Sequence, residues 1–344
     1  MAATHDMNEK PAFYTIKKAD FGKFFESLTR KYKVFAPVEA GDEHNFRQVK
    51  TVSEMKLGNY VNVEFPPKKF LHPNGLLMME FAGSRVRQRA KTGKIALFGV
   101  RPCDTHALDV LDRVMTDGYV DAYYKKARGS TLILALNCKS AGDECFCGSM
   151  GTDKAIGFDL LFTETGNGFH VEVGSEKGHS LVNNKLFRKT GSPAAKAKLV
   201  FRKQINTENL EEVMRSSFSS EFWDETAKRC LSCASCTSVC PTCYCFDVHH
   251  DAEPSEKGIE KVNISRTWNY CMLQPFTRVA GGEVTRESRT ERVKQFFYHK
   301  LLYGKENQGK LHCVGCGRCI RECMTKIDIT EEAAKARSEY ESKK

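Results

Sequence analysis

No stretch of this 344-residue chain approaches the roughly 18 consecutive apolar residues that a membrane-spanning helix needs, the longest candidates being short pieces such as Lys94-Ile-Ala-Leu-Phe-Gly-Val100. No membrane span is expected. The opening segment, Met1 to Lys10, offers neither the apolar core nor the cleavage pattern of a secretory signal, so a cytoplasmic location is the expectation. Equally absent are a GxGxxG following a strand and a GxxxxGK[ST], which leaves neither common kind of nucleotide site. The ten histidines form no HxxxH pair. Asp109 with Asp112, and Glu331 with Glu332, read as ordinary helix charges, and no catalytic residue is assigned. There is no low-complexity tract, and no repeat beyond two cysteine-rich motifs.

What the chain has in excess is cysteine, 15 in all. In a reducing compartment disulfides explain such a number poorly, and metal ligation or redox chemistry explains it better. A composition of 41% hydrophobic and 28% charged residues marks a globular chain. At roughly 150 residues per domain, the length suggests two domains. The formal charge is +10, from 53 Lys and Arg against 43 Asp and Glu. A four-iron cubane held by four thiolates carries about −2, so three would lower the total to roughly +4. The basic excess is then weak support for nucleic acid, and no nucleic-acid partner is expected.

Four cysteines, Cys103, Cys138, Cys145 and Cys147, lie in the first half, and the other eleven fall between Cys230 and Cys323. The loop-like Gly191-Ser-Pro-Ala-Ala segment and the polar helical sequence after it place a boundary near residue 205. Residues 1–205 are expected to form an α/β domain with a candidate third iron-sulfur site. Residues 206–344 are expected to form an α+β, two-[4Fe-4S] ferredoxin-like domain with a helical insertion. In the first, Phe21, Phe24, Phe25 and Leu28 have helical spacing, and a strand follows at 34–36. The apolar runs 95–100 and 131–136 suit buried parallel strands, joined by a helix from Asp104 to Thr116 that Asp104 or Thr105 can cap. A hairpin is expected around Gly166-Asn167.

The strongest motif is Cys230-Leu-Ser-Cys233-Ala-Ser-Cys236-Thr-Ser-Val-Cys240-Pro241, the run of bacterial four-iron ferredoxins. A second copy, Cys313-Val-Gly-Cys316-Gly-Arg-Cys319-Ile-Arg-Glu-Cys323, departs only in having Met324 where Pro is usual. In this pattern three thiols on one tight loop grip one cubane while the fourth serves the other. Cys230, Cys233, Cys236 and Cys323 are therefore assigned to one [4Fe-4S] cluster, and Cys313, Cys316, Cys319 and Cys240 to a second. Four-cysteine zinc sites use paired CxxC knuckles without a third Cys at the same step, and are the weaker alternative. The long stretch between Cys240 and Cys313 holds Cys243, Cys245 and Cys271, read as packed thiols in preference to another metal site. It then holds a helical stretch with Val293, Phe296, Phe297 and Leu301 on one face. Arg286, Arg289, Arg292 and Lys294 form a basic face, read as solvated or docked on a partner. The sequence from Ile329 to Lys344 reads as a solvated helix or frayed tail.

Cys103 and Cys138 both fall just past the C-terminal ends of the two buried strands, the edge where open α/β sheets place ligands. If those strands are neighbours, the loop 139–144 folds Cys145 and Cys147 over the same spot, giving four soft ligands for a third [4Fe-4S] cluster. Buried unligated thiols, zinc and a catalytic thiol are the alternatives.

Several segments together resemble one family, the iron-sulfur subunit of anaerobic sulfite reductase and the related beta subunit of cytoplasmic [NiFe] sulfhydrogenases. They are Gly99-Val-Arg-Pro-Cys-Asp104, Cys145-Phe-Cys-Gly-Ser-Met-Gly151, Cys240-Pro-Thr-Cys-Tyr-Cys-Phe-Asp247, Trp268-Asn-Tyr-Cys-Met272, Ala280-Gly-Gly282 and Cys313-Val-Gly-Cys-Gly-Arg-Cys319. The likeness covers most of the chain, and Met324 and Glu283 mark a divergent member. It implies an electron-transfer subunit that takes electrons from a flavin- and NAD(P)-binding partner and passes them to a catalytic oxidoreductase subunit. That subunit would be of hydrogenase, sulfite reductase or heterodisulfide-reductase type. A different class of function is an autonomous reductase acting on a disulfide or sulfur compound at the N-terminal cysteines.

Overall fold

A computed structural model describes residues 12–58, 60–88, 93–256 and 258–344. Its main sheet has eight strands in the order Arg188–Thr190, Ala12–Lys17, Gly168–Val173, Leu160–Thr165, Thr131–Leu136, Ile95–Val100, Lys33–Ala40, Glu43–Gln48. The four strands from Lys33–Ala40 to Leu160–Thr165 run parallel, and the rest pair antiparallel. Thr131–Leu136 is buried at every position and Ile95–Val100 at all but the first, as their unbroken apolar runs require of strands covered on both faces. The helix Lys18–Thr29 lays Phe21, Phe24, Phe25 and Leu28 on this sheet. Phe21 meets Phe169 at 4.7 Å and Phe98 at 5.5 Å between ring centroids. Burying one such ring stabilises the fold by roughly 1.5–3 kcal/mol.

The crossover helix runs Pro102–Thr116, starting two residues earlier than its apolar spacing suggested. Neither Asp104 nor Thr105 caps it. Arg101 is the N-cap, extended at φ −76° and ψ 155°, and Pro102 opens the first turn, where its fixed φ suits the helix and its missing N–H costs nothing. Asp104 is thereby freed for an ion pair, and Thr105 Oγ1 donates to the Pro102 carbonyl at 2.8 Å.

The insertion after Cys240 is not helical at its start. It opens with a hairpin, Phe246–Ser255 and Gly258–Trp268, whose second strand pairs antiparallel with Leu76–Ala82; Arg85–Gln88 completes a four-stranded sheet. This sheet is drawn from both sides of residue 205. Its hairpin carries Asp251, Glu253, Glu260 and Lys261 and, among the described residues, buries only Arg266 fully, so no apolar alternation announces it. The expected helix follows as Arg289–Tyr298, closed at its start by a Ser288–Glu291 capping box and continued by a π-helical turn, His299–Tyr303. On its basic face, Arg292 is buried and Nη1 donates to the carbonyls of Arg286 (3.0 Å) and Glu287 (2.6 Å).

The C-terminal helix Ile329–Ser342 is also more than a solvated tail. Ile329, Ala333 and Ala336 pack inward. Glu332, fully buried, receives Thr226 Oγ1 at 2.8 Å, Arg229 Nη2 at 2.9 Å and Lys335 Nζ at 3.0 Å. Small apolar residues and one compensated carboxylate make a buried face that a count of charges conceals.

Candidate iron-sulfur sites

The two ferredoxin-type motifs fold alike. In the first, Ser232 and Ala234 take left-handed φ of 53° and 64° before the short helix Ser235–Ser238; in the second, Gly315 and Gly317 take 62° and 76° before Arg318–Arg321. Glycine suits that conformation, but the first motif shows that alanine and serine tolerate it. Packing explains the second pair. A Cβ on Gly315 would lie 2.6 Å from Cys147 Cα, and one on Gly317 would lie 2.3 Å from the Glu144 carbonyl oxygen. The second loop is thus pressed onto segment 144–147, and Phe146 N–H donates to the Gly315 carbonyl at 2.8 Å.

Cys230, Cys233, Cys236 and Cys323 line one cavity of about 50 Å³, walled by Met272, Phe296 and Ile329. Cys319 of the second loop also borders it. The Ser232 N–H reaches Cys230 Sγ and the Ile327 N–H reaches Cys323 Sγ, each at 3.3 Å. Cys240 does not border this cavity, although its charge acts on Cys236. It neighbours Cys313, Cys316 and Cys319, whose thiols burial pushes up, Cys313 to about 12. Cys240 itself is held well below the usual thiol range, first by a hydrogen bond from Cys243 and then, against burial, by the ammoniums of Lys300 and Lys68. A low thiol pKa favours the thiolate, the form that binds metal. Cys243, Cys245 and Cys271 surround the same region, and burial pushes Cys271 to about 11. Burial and Lys300 together hold His299 near 2 and His312 near 4.

In the N-terminal half, strands Ile95–Val100 and Thr131–Leu136 are parallel neighbours, so Cys103 and Cys138 meet beyond their ends. Cys145 and Cys147 join them around a second cavity, with Asn62 and Asp153 in its wall. Burial pushes Cys145 to about 11 and raises Cys103, Cys138 and Cys147. Arg101 braces the floor: Nε donates to Val61 O at 2.8 Å, Nη1 to Leu136 O at 3.2 Å and Asn137 O at 2.9 Å, and Nη2 to Tyr60 O. Between this cavity and the second loop lies a fully buried ion pair. Arg318 grips Asp104 with two bonds of 2.7 and 2.8 Å, and its Nε donates to Val63 O at 2.6 Å. Asn62 Nδ2 donates to Cys316 O at 2.9 Å, while Cys145 Sγ lies 3.9 Å from that oxygen.

Sequence reasoning brought all twelve of these thiols forward but missed Arg101, Arg318, Asn62, Lys68 and Lys300. A basic residue inside a cysteine loop, or in the Pro66-Pro67-Lys68-Lys69 run, carries no local sign of burial. Among the described residues no three His, Cys, Asp or Glu side chains are placed to hold a single metal ion. Cys230, Cys233, Cys236, Cys319 and Cys323 border one cavity and Cys103, Cys138, Cys145 and Cys147 another, an arrangement that suits a multi-iron group bound at its corners, whereas Cys240, Cys313 and Cys316 border neither.

Matched cysteine loops, with sulfurs around an apolar cavity, define a ferredoxin-type iron-sulfur protein built to carry electrons. Residues 229–327 match the family model of the 4Fe-4S dicluster domain, which provides for two [4Fe-4S] clusters. The chain is 33% identical over 319 residues to sulfhydrogenase 2 subunit beta of Pyrococcus furiosus, covering 90% of this chain and 93% of that protein. It belongs to the sulfhydrogenase beta-subunit family, as an iron-sulfur electron-transport subunit of an oxidoreductase complex. No solved structure matches the chain. Among the described residues no helix is long and apolar enough to cross a membrane.

Proposed function

We propose that the chain relays electrons along three [4Fe-4S] clusters in the cytoplasm, with a flavin- and NAD(P)-binding subunit on one side and a catalytic oxidoreductase subunit on the other. Cys230, Cys233, Cys236 and Cys323 hold one cluster, and Cys313, Cys316, Cys319 and Cys240 the next. Cys103, Cys138, Cys145 and Cys147 hold the third. A bound four-iron cubane takes up and releases single electrons. The chain's part is to fix spacing, exclude water and supply charge.

The observation that carries this reading is the continuity of the three cysteine sets. Gly315 and Gly317 let one loop press on segment 144–147, and Cys319 borders the next cavity along. The match to a sulfhydrogenase beta subunit favours a hydrogenase-type catalytic partner. Residues 1–205 and 206–344 then act as two ligand-bearing domains joined by the shared sheet. Anaerobically prepared protein should contain about 12 iron and 12 labile sulfide per chain, and Cys145→Ser about eight of each. About eight in both proteins removes the third cluster. With no nucleotide fingerprint in its sequence, the flavin-free chain should resist reduction by NADH or NADPH yet be bleached by dithionite. Rapid bleaching by the nicotinamide alone would favour an autonomous reductase.

A further inference from the structure

Two lysines are among the most deeply buried charged residues of the protein, Lys68 at 1% exposure and Lys300 at 2%. They arrive from opposite ends of the sequence. Lys300 sits on the π-helical turn His299–Tyr303, a local widening of the helix that often marks functional positions. Its Nζ donates to Thr242 Oγ1 at 3.0 Å, and that oxygen lies 3.2 Å from Cys240 Sγ while Thr242 donates to His312 O at 2.6 Å. Lys68, on the short helix Lys68–Leu71, donates to Cys243 O at 2.9 Å with its Nζ 4.5 Å from the centre of the Trp268 ring. Among the described residues neither ammonium has a carboxylate within ion-pair distance. Keeping two buried lysines charged is expensive, burial itself pulling the Lys68 pKa down, and the groups that favour the charge are sulfurs, Cys243 and Cys240 for Lys68 and Cys240 and Cys243 for Lys300. In the metal-free chain the Cys240 thiolate is one negative charge against two ammoniums. Four thiolates around a cubane carry about −2, and one unit more when an electron is added.

We propose that Lys300 and Lys68 form a buried charge pair that raises the reduction potential of the cluster bound through Cys240. The inference rests on that cysteine being a cluster ligand. Fixed positive charge stabilises the more negative, reduced state over the oxidised one. At the effective dielectric of about 20 that fits buried sites, one ammonium roughly 12 Å from the added electron changes the balance about tenfold, and a nearer one changes it more. The cluster so favoured belongs to the middle of the three cysteine sets. It is the station at which an electron rests between one partner and the other.

The test is an EPR-monitored redox titration of the full chain loaded anaerobically with iron and sulfide. The variants are Lys300→Met, Lys300→Arg, Lys68→Met, Cys240→Ser and Cys323→Ser. Cys240→Ser and Cys323→Ser label which signal belongs to which centre. At the potential that half-reduces the Cys240-linked centre in the parent, Lys300→Met should leave it at least about tenfold less reduced, a midpoint lowered by about 59 mV or more. Lys68→Met should lower the same midpoint, Lys300→Arg should hold the parent value, and the signal altered only by Cys323→Ser should stay put. If Lys300→Met loses iron, Lys68→Met carries the same comparison from a different element. The inference falls if fully loaded lysine-to-methionine variants titrate as the parent does. It falls equally if Lys300→Arg shifts as far as Lys300→Met, or if the shifted signal is one that Cys240→Ser leaves untouched. Should Cys240→Ser perturb the centre of Cys230, Cys233 and Cys236, the crossed ligand assignment fails. The lysine effect would then be expected on that centre instead.

Discussion

Replacing Gly317 by alanine tests the contact between the two halves at a single atom. The new Cβ would meet the Glu144 carbonyl oxygen at 2.3 Å and the Glu144 carbonyl carbon at 2.5 Å, both backbone atoms that no rotamer change can move. Left-handed φ costs an alanine about 1–2 kcal/mol. Relief of an overpacked contact costs a further 1–3 kcal/mol or so. The sum, on the order of 2–5 kcal/mol, should displace segment 144–147 and with it Cys145 and Cys147. The matched control lies in the other motif. Ala234 holds the same loop position at φ 64° with a side chain already present, so Ala234→Gly should change stability by no more than about 1 kcal/mol. Iron content and urea midpoint, measured anaerobically on both variants beside the parent, give the comparison. A Gly317→Ala protein with the parent's midpoint and iron would refute the packing argument, since backbone atoms cannot coexist at that distance.

Asp104→Asn leaves the Arg318 guanidinium buried without its anion and should destabilise the protein by about 3–5 kcal/mol, whereas Asp104→Leu with Arg318→Met together should recover much of that loss; equal costs for the single and the paired change would contradict it. Cys323→Ala should damage the centre shared with Cys230, Cys233 and Cys236 more than the one seeded by Cys313, which cluster spectroscopy on the variant will resolve. Burial raises the thiols of Cys145 and Cys271 to about 11 and of Cys313 to about 12. Their protonated form is thereby favoured in the folded, metal-free chain. That contribution is complete below the usual thiol value and lost as pH climbs through 11 to 12, so metal-free protein should lose stability progressively above pH 9, and a midpoint flat from pH 8 to 11 would rule it out.

The parallel strands were legible because fully buried strands write themselves as unbroken apolar runs, 95–100 and 131–136 among them. The helix Lys18–Thr29 was legible from its phenylalanines. The meeting of Cys103, Cys138, Cys145 and Cys147 followed from strand ends and loop length alone. The hairpin 246–268 was not, because a half-exposed ribbon laden with charge satisfies its backbone without an apolar face. The start of the crossover helix was misplaced for a related reason. Asp104 looks like a cap, yet its partner, Arg318, lies more than two hundred residues away, and local spacing cannot report a distant ion pair. Lys68 and Lys300 escaped on the same ground, since burial of a lysine is decided by what the rest of the chain brings to it.

Pairing of Glu80 with Asn263 in the shared sheet has a consequence for biosynthesis. Ribosomes add about 5–20 residues per second, so strand Leu76–Ala82 waits on the order of ten seconds or longer for its neighbour to be made. Cys103, Cys138, Cys145 and Cys147 emerge in that interval, whereas the glycine loop that closes over them comes later still. Iron delivered during translation would meet these thiols while their lid is missing and a sheet edge lies open to other chains. Iron delivered to the finished chain meets these thiols with their lid in place, whereas the open sheet edge closes only when strand Gly258–Trp268 has been made.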